Sequence, residues 1–168
     1  MANRLVGVLK AAHGDDHPDT LVARSMLGGA YLAQGRSADA EALLVPLLAA
    51  QERLLGERHP NALQTRSMLA AIHQGQGRLA EAEAELRGVL IGDLGVYGDA
   101  HPLVGVDRRK LACVLLQRGQ REEALGLLRE NVKHNHSPLP TDETCPTLSA
   151  DPEVVELAKG VPRQTDPE

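Results

Sequence analysis

The chain has 168 residues, of which 42% are hydrophobic and 24% are charged, and this length is enough for one compact domain with its own core. Its net charge of −5 provides no basic surface of the kind that binds DNA, RNA or an anionic membrane. Tyr31 and Tyr97 are the only two Phe, Tyr or Trp residues, so stacking on single-stranded nucleic acid is also not expected. The core must therefore be built from aliphatic side chains.

The N-terminal sequence MANRLVGVLK contains an apolar stretch that is too short for a secretory signal, and no stretch of membrane-spanning length follows it. Cys113 and Cys145 are too few to form a disulfide framework. We therefore expect a soluble, cytoplasmic protein with reduced cysteines.

A His-Pro pair recurs at a fixed interval of 42 residues, at His17, His59 and His101. Leucine, glycine and alanine residues recur at the same interval: Leu27, Leu69 and Leu111; Gly35, Gly77 and Gly119; Ala40, Ala82 and Ala124; Leu44, Leu86 and Leu128. A period of this length indicates a solenoid, in which each unit buries its apolar face against the next.

Each unit is predicted to be a pair of helices. Proline suits the first turn of the first helix, and a glycine pair such as Gly75 and Gly77 ends it. The second helix carries apolar residues on one face and ends near a glycine such as Gly98, which favours a left-handed C-terminal cap. The His-Pro junction therefore marks the end of one hairpin and the beginning of the next.

The ends of the sequence differ from the repeats. Residues 2–14 align with the second helix of a unit whose first helix is missing. Residues 137–168 are rich in proline, and within them Asp151, Pro152 and Gly160 predict a short helix over 152–159. This helix could cap the last hairpin or serve as a recognition segment, and disorder is the other alternative.

The stretches LGGAYLAQGRSADAEALL, LAAIHQGQGRLAEAEAEL and LACVLLQRGQREEALGLL resemble tetratricopeptide repeats. Their 42-residue period and their His-Pro junctions most resemble the long-helix repeats of kinesin light chains. The resemblance implies an all-α fold, a right-handed α-solenoid of about three helical hairpins with flanking helices. We expect the solenoid to span residues 1–136, with repeats at about 17–58, 59–100 and 101–136.

In proteins of this family the first helix of each unit lines a concave groove that binds a peptide. Transferring those positions to this sequence gives the predicted groove residues Val22, Ser25, Met26, Gly29, Gln64, Ser67, Met68, Ala71, Val106, Arg109, Lys110 and Cys113. The methionines favour an apolar anchor on the partner, and Arg109 and Lys110 favour an acidic flank. Met26 and Met68 could instead belong partly to the core, and Arg109 and Lys110 could be only a solvated stripe.

The three His-Pro histidines are too far apart to share a metal ion, and we expect them to make hydrogen bonds at the helix starts. Arg24, Arg66 and Arg108 are expected to pack by their stems and to pair with carboxylates or helix-end carbonyls. Small residues such as Gly28 are expected where the helices of a hairpin cross closely.

Catalytic signatures are missing: the sequence has no nucleophile elbow, no phosphate loop and no zinc-protease motif. We expect a scaffold or adaptor that binds a protein or peptide, without enzymatic activity, metal or cofactor. One alternative is an oligomerisation or regulatory module, including a homo-oligomer, that uses exposed solenoid ends. The other is a sensor of a peptide or small molecule.

Overall fold

The computed structural model describes residues 2–134 and 145–159. The described residues form α-helices and no strand. In chain order the helices are α1 (Ala2–His13), α2 (Pro18–Ala33), α3 (Ser37–Leu55), α4 (Pro60–Gly75), α5 (Leu79–Tyr97), α6 (Pro102–Gln117), α7 (Arg121–Lys133), α8 (Pro146–Ala150) and α9 (Pro152–Lys159).

The helix boundaries repeat because the local signals repeat. His17, His59 and His101 are the N-caps of α2, α4 and α6, and in each the ring Nδ1 accepts a hydrogen bond from the backbone N–H two residues later. The donor–acceptor distances are 3.2–3.3 Å. The predicted hydrogen bonds at the helix starts are confirmed, since the imidazole does here what a serine or aspartate commonly does at an N-cap.

Glycines occupy the reversals between helices. Gly35 has φ +71° between α2 and α3, and Gly77 has φ +76° between α4 and α5. An L side chain is strained in this left-handed region, and glycine is not. The repeated glycines therefore allow each hairpin to close within a few residues.

The chain divides into two compact units, and the boundary between them in the sequence falls within α5: an N-terminal unit, Met1–Gly92, and a C-terminal unit, Asp93–Glu168. In the N-terminal unit α1 packs on α2, α2 on α3 and α3 on α4. A buried aliphatic cluster joins these helices, formed by Leu21, Ala40, Leu44, Leu47, Leu48, Ala62, Leu69 and Ile72. At the crossing of α2 and α3, a Cβ on Gly28 would collide with the side chain of Leu44, so the predicted role of this small residue is confirmed.

In the C-terminal unit α6 packs on α7, α8 packs on α6, and α9 packs on α7. Leu148 of α8 and Val154 of α9 are buried. Asp151 caps α9, since its Oδ1 accepts a hydrogen bond from the N–H of Glu153 at 3.0 Å. Its carboxylate also accepts hydrogen bonds from Arg121 of α7, at 2.8 and 3.0 Å. The predicted solenoid and tail boundaries at residues 136 and 137 stay predictions.

Candidate functional site

A cavity of about 180 Å³ lies in the N-terminal unit between α2 and α4. Its lining residues come from three helices: Val22, Ser25, Met26 and Gly29 of α2, Gln51 of α3, and Asn61, Gln64 and Met68 of α4. An enclosed apolar cavity of about 150 Å³ is large enough to take up benzene, so this space suits one side chain of a partner.

The α2 wall is apolar and open to solvent. Val22, Ser25, Met26 and Gly29 have the spacing that places residues on one face of a helix. Met26 is 68% exposed and Val22 is 45% exposed. The alternative that Met26 belongs to the core is therefore wrong, and its thioether is available at the rim of the cavity.

The α4 wall is more polar. Asn61, Gln64 and Met68 share one face of α4, and Gln64 is exposed. Met68 is half-buried and packs against the aliphatic core cluster, so for this methionine the interpretation as partly core is confirmed. A Cβ added to Gly29 would lie 4.0 Å from the Met68 Sδ atom, which places these two residues on opposite sides of a narrow gap.

Gln51 of α3 also lines the cavity and has no exposed surface. Neither its side-chain Nε2 nor its Oε1 has a hydrogen-bond partner among the described residues. Sequence reasoning missed Gln51 because the family comparison considers only the first helix of each unit. The available signal was its spacing from Leu44, Leu47 and Leu48, which places a polar residue on the apolar stripe of α3.

Six of the twelve predicted groove residues therefore line one cavity: Val22, Ser25, Met26, Gly29, Gln64 and Met68. Ser67 and Ala71 lie on α4 but do not line it. Asn61 lines it and was not predicted.

The remaining predicted residues lie on α6 in the C-terminal unit. Val106 and Arg109 are half-buried, and Lys110 is exposed. The Lys110 Nζ atom lies 3.9 Å from Oδ1 of the buried Asp107. Whether these residues contact a partner stays a prediction.

Cys113 differs from the prediction. It is 3% exposed and forms a disulfide with Cys145, with a Cα–Cα distance of 6.1 Å. Its placement on an open groove is therefore wrong, because Cys145 at the start of α8 covers it. The expectation of reduced cysteines also differs from the structure, since the two cysteines are enough for one bridge across 32 residues of chain.

Asp93 of α5 and Asp107 of α6 form a buried carboxyl pair in the C-terminal unit. Burial and a hydrogen bond with Asp93 raise the pKa of Asp107 to about 7, against the opposing positive charges of Lys110 and Arg109. A proton shared between the two carboxyl groups makes the pair tolerable in the interior.

Arginines take structural roles. Arg66 pairs with Glu52, and its Nε lies 3.7 Å from Glu85. Arg108 is buried and pairs with Asp99 through both the side chain and, at 3.3 Å, the backbone oxygen. The expected pairing with carboxylates and backbone carbonyls is confirmed for Arg66 and Arg108.

Asp99, Glu130 and His134 place potential metal-ligand atoms within 4.8 Å of one another. The His134 Nε2 and Asp99 Oδ2 atoms are 2.6 Å apart, but Asp99 is also paired with Arg108, and Glu130 with Lys133 at 2.5 Å. These cations already neutralise the carboxylates, so the arrangement is explained by ion pairing without a metal ion.

The described helices include none that is both long enough and apolar enough to cross a membrane.

A family model of the tetratricopeptide repeat matches residues 20–61, and another model of the tetratricopeptide repeat matches residues 63–87. Among solved structures, the chain is similar to nearly identical TPR-like repeats of a Podosopora anserina protein assigned as a kinesin light chain. The two are 24% identical with a TM-score of 0.77, over 95% of this chain and 82% of that one. A single-residue variant of those repeats gives 24% identity and a TM-score of 0.76, over 95% of this chain and 74% of that one. No curated protein matches the chain.

Proposed function

We propose that this chain, an all-α solenoid of tetratricopeptide repeats, is a protein-interaction module that binds a peptide segment of a partner at the cavity between α2 and α4. The repeat type and the fold class predicted from the sequence are confirmed, and such repeats generally mediate protein–protein interactions. The observation that carries the more specific proposal is the cavity itself, whose walls are formed by residues at the predicted groove positions.

The chemistry of the walls favours an apolar anchor. Met26 presents a flexible thioether at the rim, and Val22 adds an exposed aliphatic side chain on the same face of α2. Methionine side chains adapt to partners of different shapes because they are unbranched and polarizable. A partner that inserts an aliphatic side chain here would remove this exposed apolar surface from water, which is a favourable change.

A test is the selection of binders from a displayed library of random short peptides on the immobilised full chain. Affinities of the selected synthetic peptides are then measured by fluorescence polarisation. Met26→Glu should weaken binding by about tenfold, because the complex would bury a carboxylate against an apolar anchor. Val45→Glu is the matched control, since Val45 is a 51% exposed apolar residue of the same unit that does not line the cavity.

Two results would oppose the proposal: a selection that yields no peptide, or selected peptides that bind Met26→Glu as tightly as the unchanged protein. A mass that rises with protein concentration in light scattering, together with either result, would favour the alternative of an oligomerisation module.

A second binding feature is proposed for the C-terminal unit, where Arg109 and Lys110 would contact acidic residues of a partner. The support is the adjacent placement of two cationic residues on α6, with Lys110 exposed. A homo-oligomer through the solenoid ends also stays a proposal.

The cytoplasmic location stays a prediction as well. Disulfides persist mainly in oxidising compartments, so the Cys113–Cys145 pair bears directly on this expectation. Mass spectrometry of the protein trapped with a thiol-blocking reagent at lysis would measure the fraction of the two cysteines that is bonded in its own cell.

A further inference from the structure

Gln51 is a fully buried polar residue that lines the cavity. Its side chain shares a face of α3 with Leu44, Leu47 and Leu48. A buried carboxamide without hydrogen bonds destabilises a folded protein, because it loses its hydrogen bonds to water without replacing them. Such a group calls for an explanation in the function of the protein.

The repeat position that supplies a partner in the C-terminal unit does not supply one for Gln51. Thr65 of α4 lies one repeat before Asp107, the residue that pairs with Asp93 in the C-terminal unit, and it is fully buried. The Thr65 hydroxyl donates instead to the backbone oxygen of Asn61, at 3.0 Å. The Gln51 amide nitrogen and oxygen both have no hydrogen-bond partner among the described residues.

The unpaired atoms define the chemistry of a ligand. The Nε2 group offers donors and the Oε1 atom is an acceptor, so a complementary group must both accept and donate. A carboxylate only accepts and would leave Oε1 unpaired, whereas an ammonium or guanidinium group only donates and would leave Nε2 unpaired. A hydroxyl donates and accepts through a single oxygen, whereas an amide presents its donor and its acceptor on separate atoms and satisfies both Gln51 atoms with two reciprocal hydrogen bonds.

The burial of Gln51 indicates which kind of amide can reach it. Because Gln51 has no exposed surface, a ligand reaches it only if other side chains of the lining move aside, and the lining includes two flexible methionines, Met26 and Met68. The terminal carboxamide of a side chain can pass this gap on its methylene stem, whereas a main-chain peptide group would have to bring its two flanking residues with it.

We propose that the cavity selects partners that insert an asparagine or glutamine side chain, whose carboxamide pairs with that of Gln51. This inference rests on the proposed function, because it assigns the specificity of the same cavity. The methylene groups of the inserted side chain pack against Met26, Met68 and Val22, and the amide ends at the buried carboxamide.

The test uses the same displayed peptide library on the unchanged chain and on Gln51→Leu. Peptides selected by the unchanged chain should share an asparagine or glutamine at one position, and those selected by Gln51→Leu should carry an apolar residue there. For one selected peptide, fluorescence polarisation then measures affinity for both proteins, with glutamine or leucine at the shared position.

The expected pattern is a double-mutant cycle. Gln51→Leu should lower the affinity for the glutamine peptide by about tenfold, because the amide of the peptide becomes buried without a partner. The leucine peptide should regain affinity on Gln51→Leu. Gln34→Leu makes the same change at an exposed position of the same unit that does not line the cavity, and it should leave the preference for glutamine unchanged.

The stability of the free protein gives a second reading. Gln51→Leu should unfold at higher urea concentration than the unchanged chain, since it removes an unpaired polar group from the buried face of α3. A structural role for the carboxamide would give the opposite shift and would overturn the inference, as would selected peptides without asparagine or glutamine. If Met26→Glu weakens peptide binding but Gln51→Leu does not, the proposed function stands and this inference fails. If neither variant weakens binding, both the proposed function and this inference fail.

Discussion

The two units place a polar residue at the same repeat position and use it differently. Gln51 of α3 and Asp93 of α5 are 42 residues apart, and both are buried. Asp93 is hydrogen-bonded to Asp107, whereas Gln51 has no partner among the described residues, and Thr65, at the repeat position of Asp107, donates to its own helix. The repeat therefore provides a polar position that one unit satisfies internally and the other leaves facing a cavity.

The units also differ in the exposure of the last predicted groove residue of each repeat. Ala71 and Cys113 are one repeat apart on α4 and α6. Ala71 is exposed, whereas Cys113 is covered by its bond to Cys145. Residues at the same repeat position can therefore differ in exposure. Here the difference arises because α8 packs on α6.

The largest expected effect on the free energy of unfolding comes from Cys145→Ser, which removes the disulfide with Cys113. The bond closes a loop across 32 residues, and the loss of such a cross-link costs about 3–4 kcal/mol on the chain-entropy model. Urea unfolding under oxidising conditions should show this loss, and hydrogen exchange should place it in the C-terminal unit around α8 and α9.

Reduction of the unchanged chain with dithiothreitol is the matched control and should lower its stability to that of Cys145→Ser, while leaving the variant unaffected. Equal unfolding midpoints for the oxidised chain and the variant would show that the cover of α6 does not depend on the bond.

The next largest effect is a change of stability with pH, which tests whether Asp93 and Asp107 share a proton. Since the pKa of Asp107 is raised above its ordinary value of 3.8 to about 7, the folded state binds more protons than the unfolded state between these values. Stability from this group is therefore full below pH 3.8 and falls as the pH rises towards about 7.

Asp107→Asn removes this titration, so the unchanged chain should lose stability relative to the variant between pH 5 and pH 8, by on the order of 1–3 kcal/mol. The measurement is urea unfolding of both proteins across that range, where their difference cancels the titration of the histidines. A difference that does not change with pH would show that the pair carries no shared proton.

The parts of the fold that the sequence predicts are those with local signals. The His-Pro junctions and glycines place the starts of α2, α4 and α6, since a cap, a proline and a left-handed glycine act within a few residues. The repeat positions of Val22, Met26 and Met68 bring them to one cavity.

Two features depend on contacts between distant segments and escape local signals. The pairing of Cys113 with Cys145 depends on where residues after α7 return to the helices. Gln51 joins the site from α3, which a transfer based on α2, α4 and α6 cannot include, although its place on a leucine stripe was visible.

A smaller pair of effects compares two neighbouring glycines of α2. Gly28→Ala should destabilise the N-terminal unit by about 1–3 kcal/mol, because the new Cβ collides with the fully buried Leu44. Gly29→Ala should stabilise it by about 0.5–1 kcal/mol, since its Cβ would meet only the Met68 Sδ at 4.0 Å and alanine favours the helix. Thermal unfolding of the two variants measures both, and shifts of the same sign would contradict the close crossing at Gly28.

The smallest expected effect concerns Arg109 and Lys110. Reversing their charges would place a carboxylate near Asp107, which is 3.9 Å from Lys110, and would disturb the buried pair. The double change to glutamine removes the charges with less disturbance. It should lower the affinity for a short oligo-glutamate peptide by about threefold at low salt, since exposed charge pairs contribute about 0.2–1 kcal/mol each.

Lys133→Gln with Lys159→Gln removes the same charge from exposed positions elsewhere in the C-terminal unit and serves as the control. Fluorescence polarisation at two salt concentrations separates specific contacts from the effect of net charge, because screening weakens both but only the first distinguishes the two double variants. Equal binding by the two double variants would show that Arg109 and Lys110 form only a solvated stripe. The cavity between α2 and α4 would then be the remaining candidate for recognition.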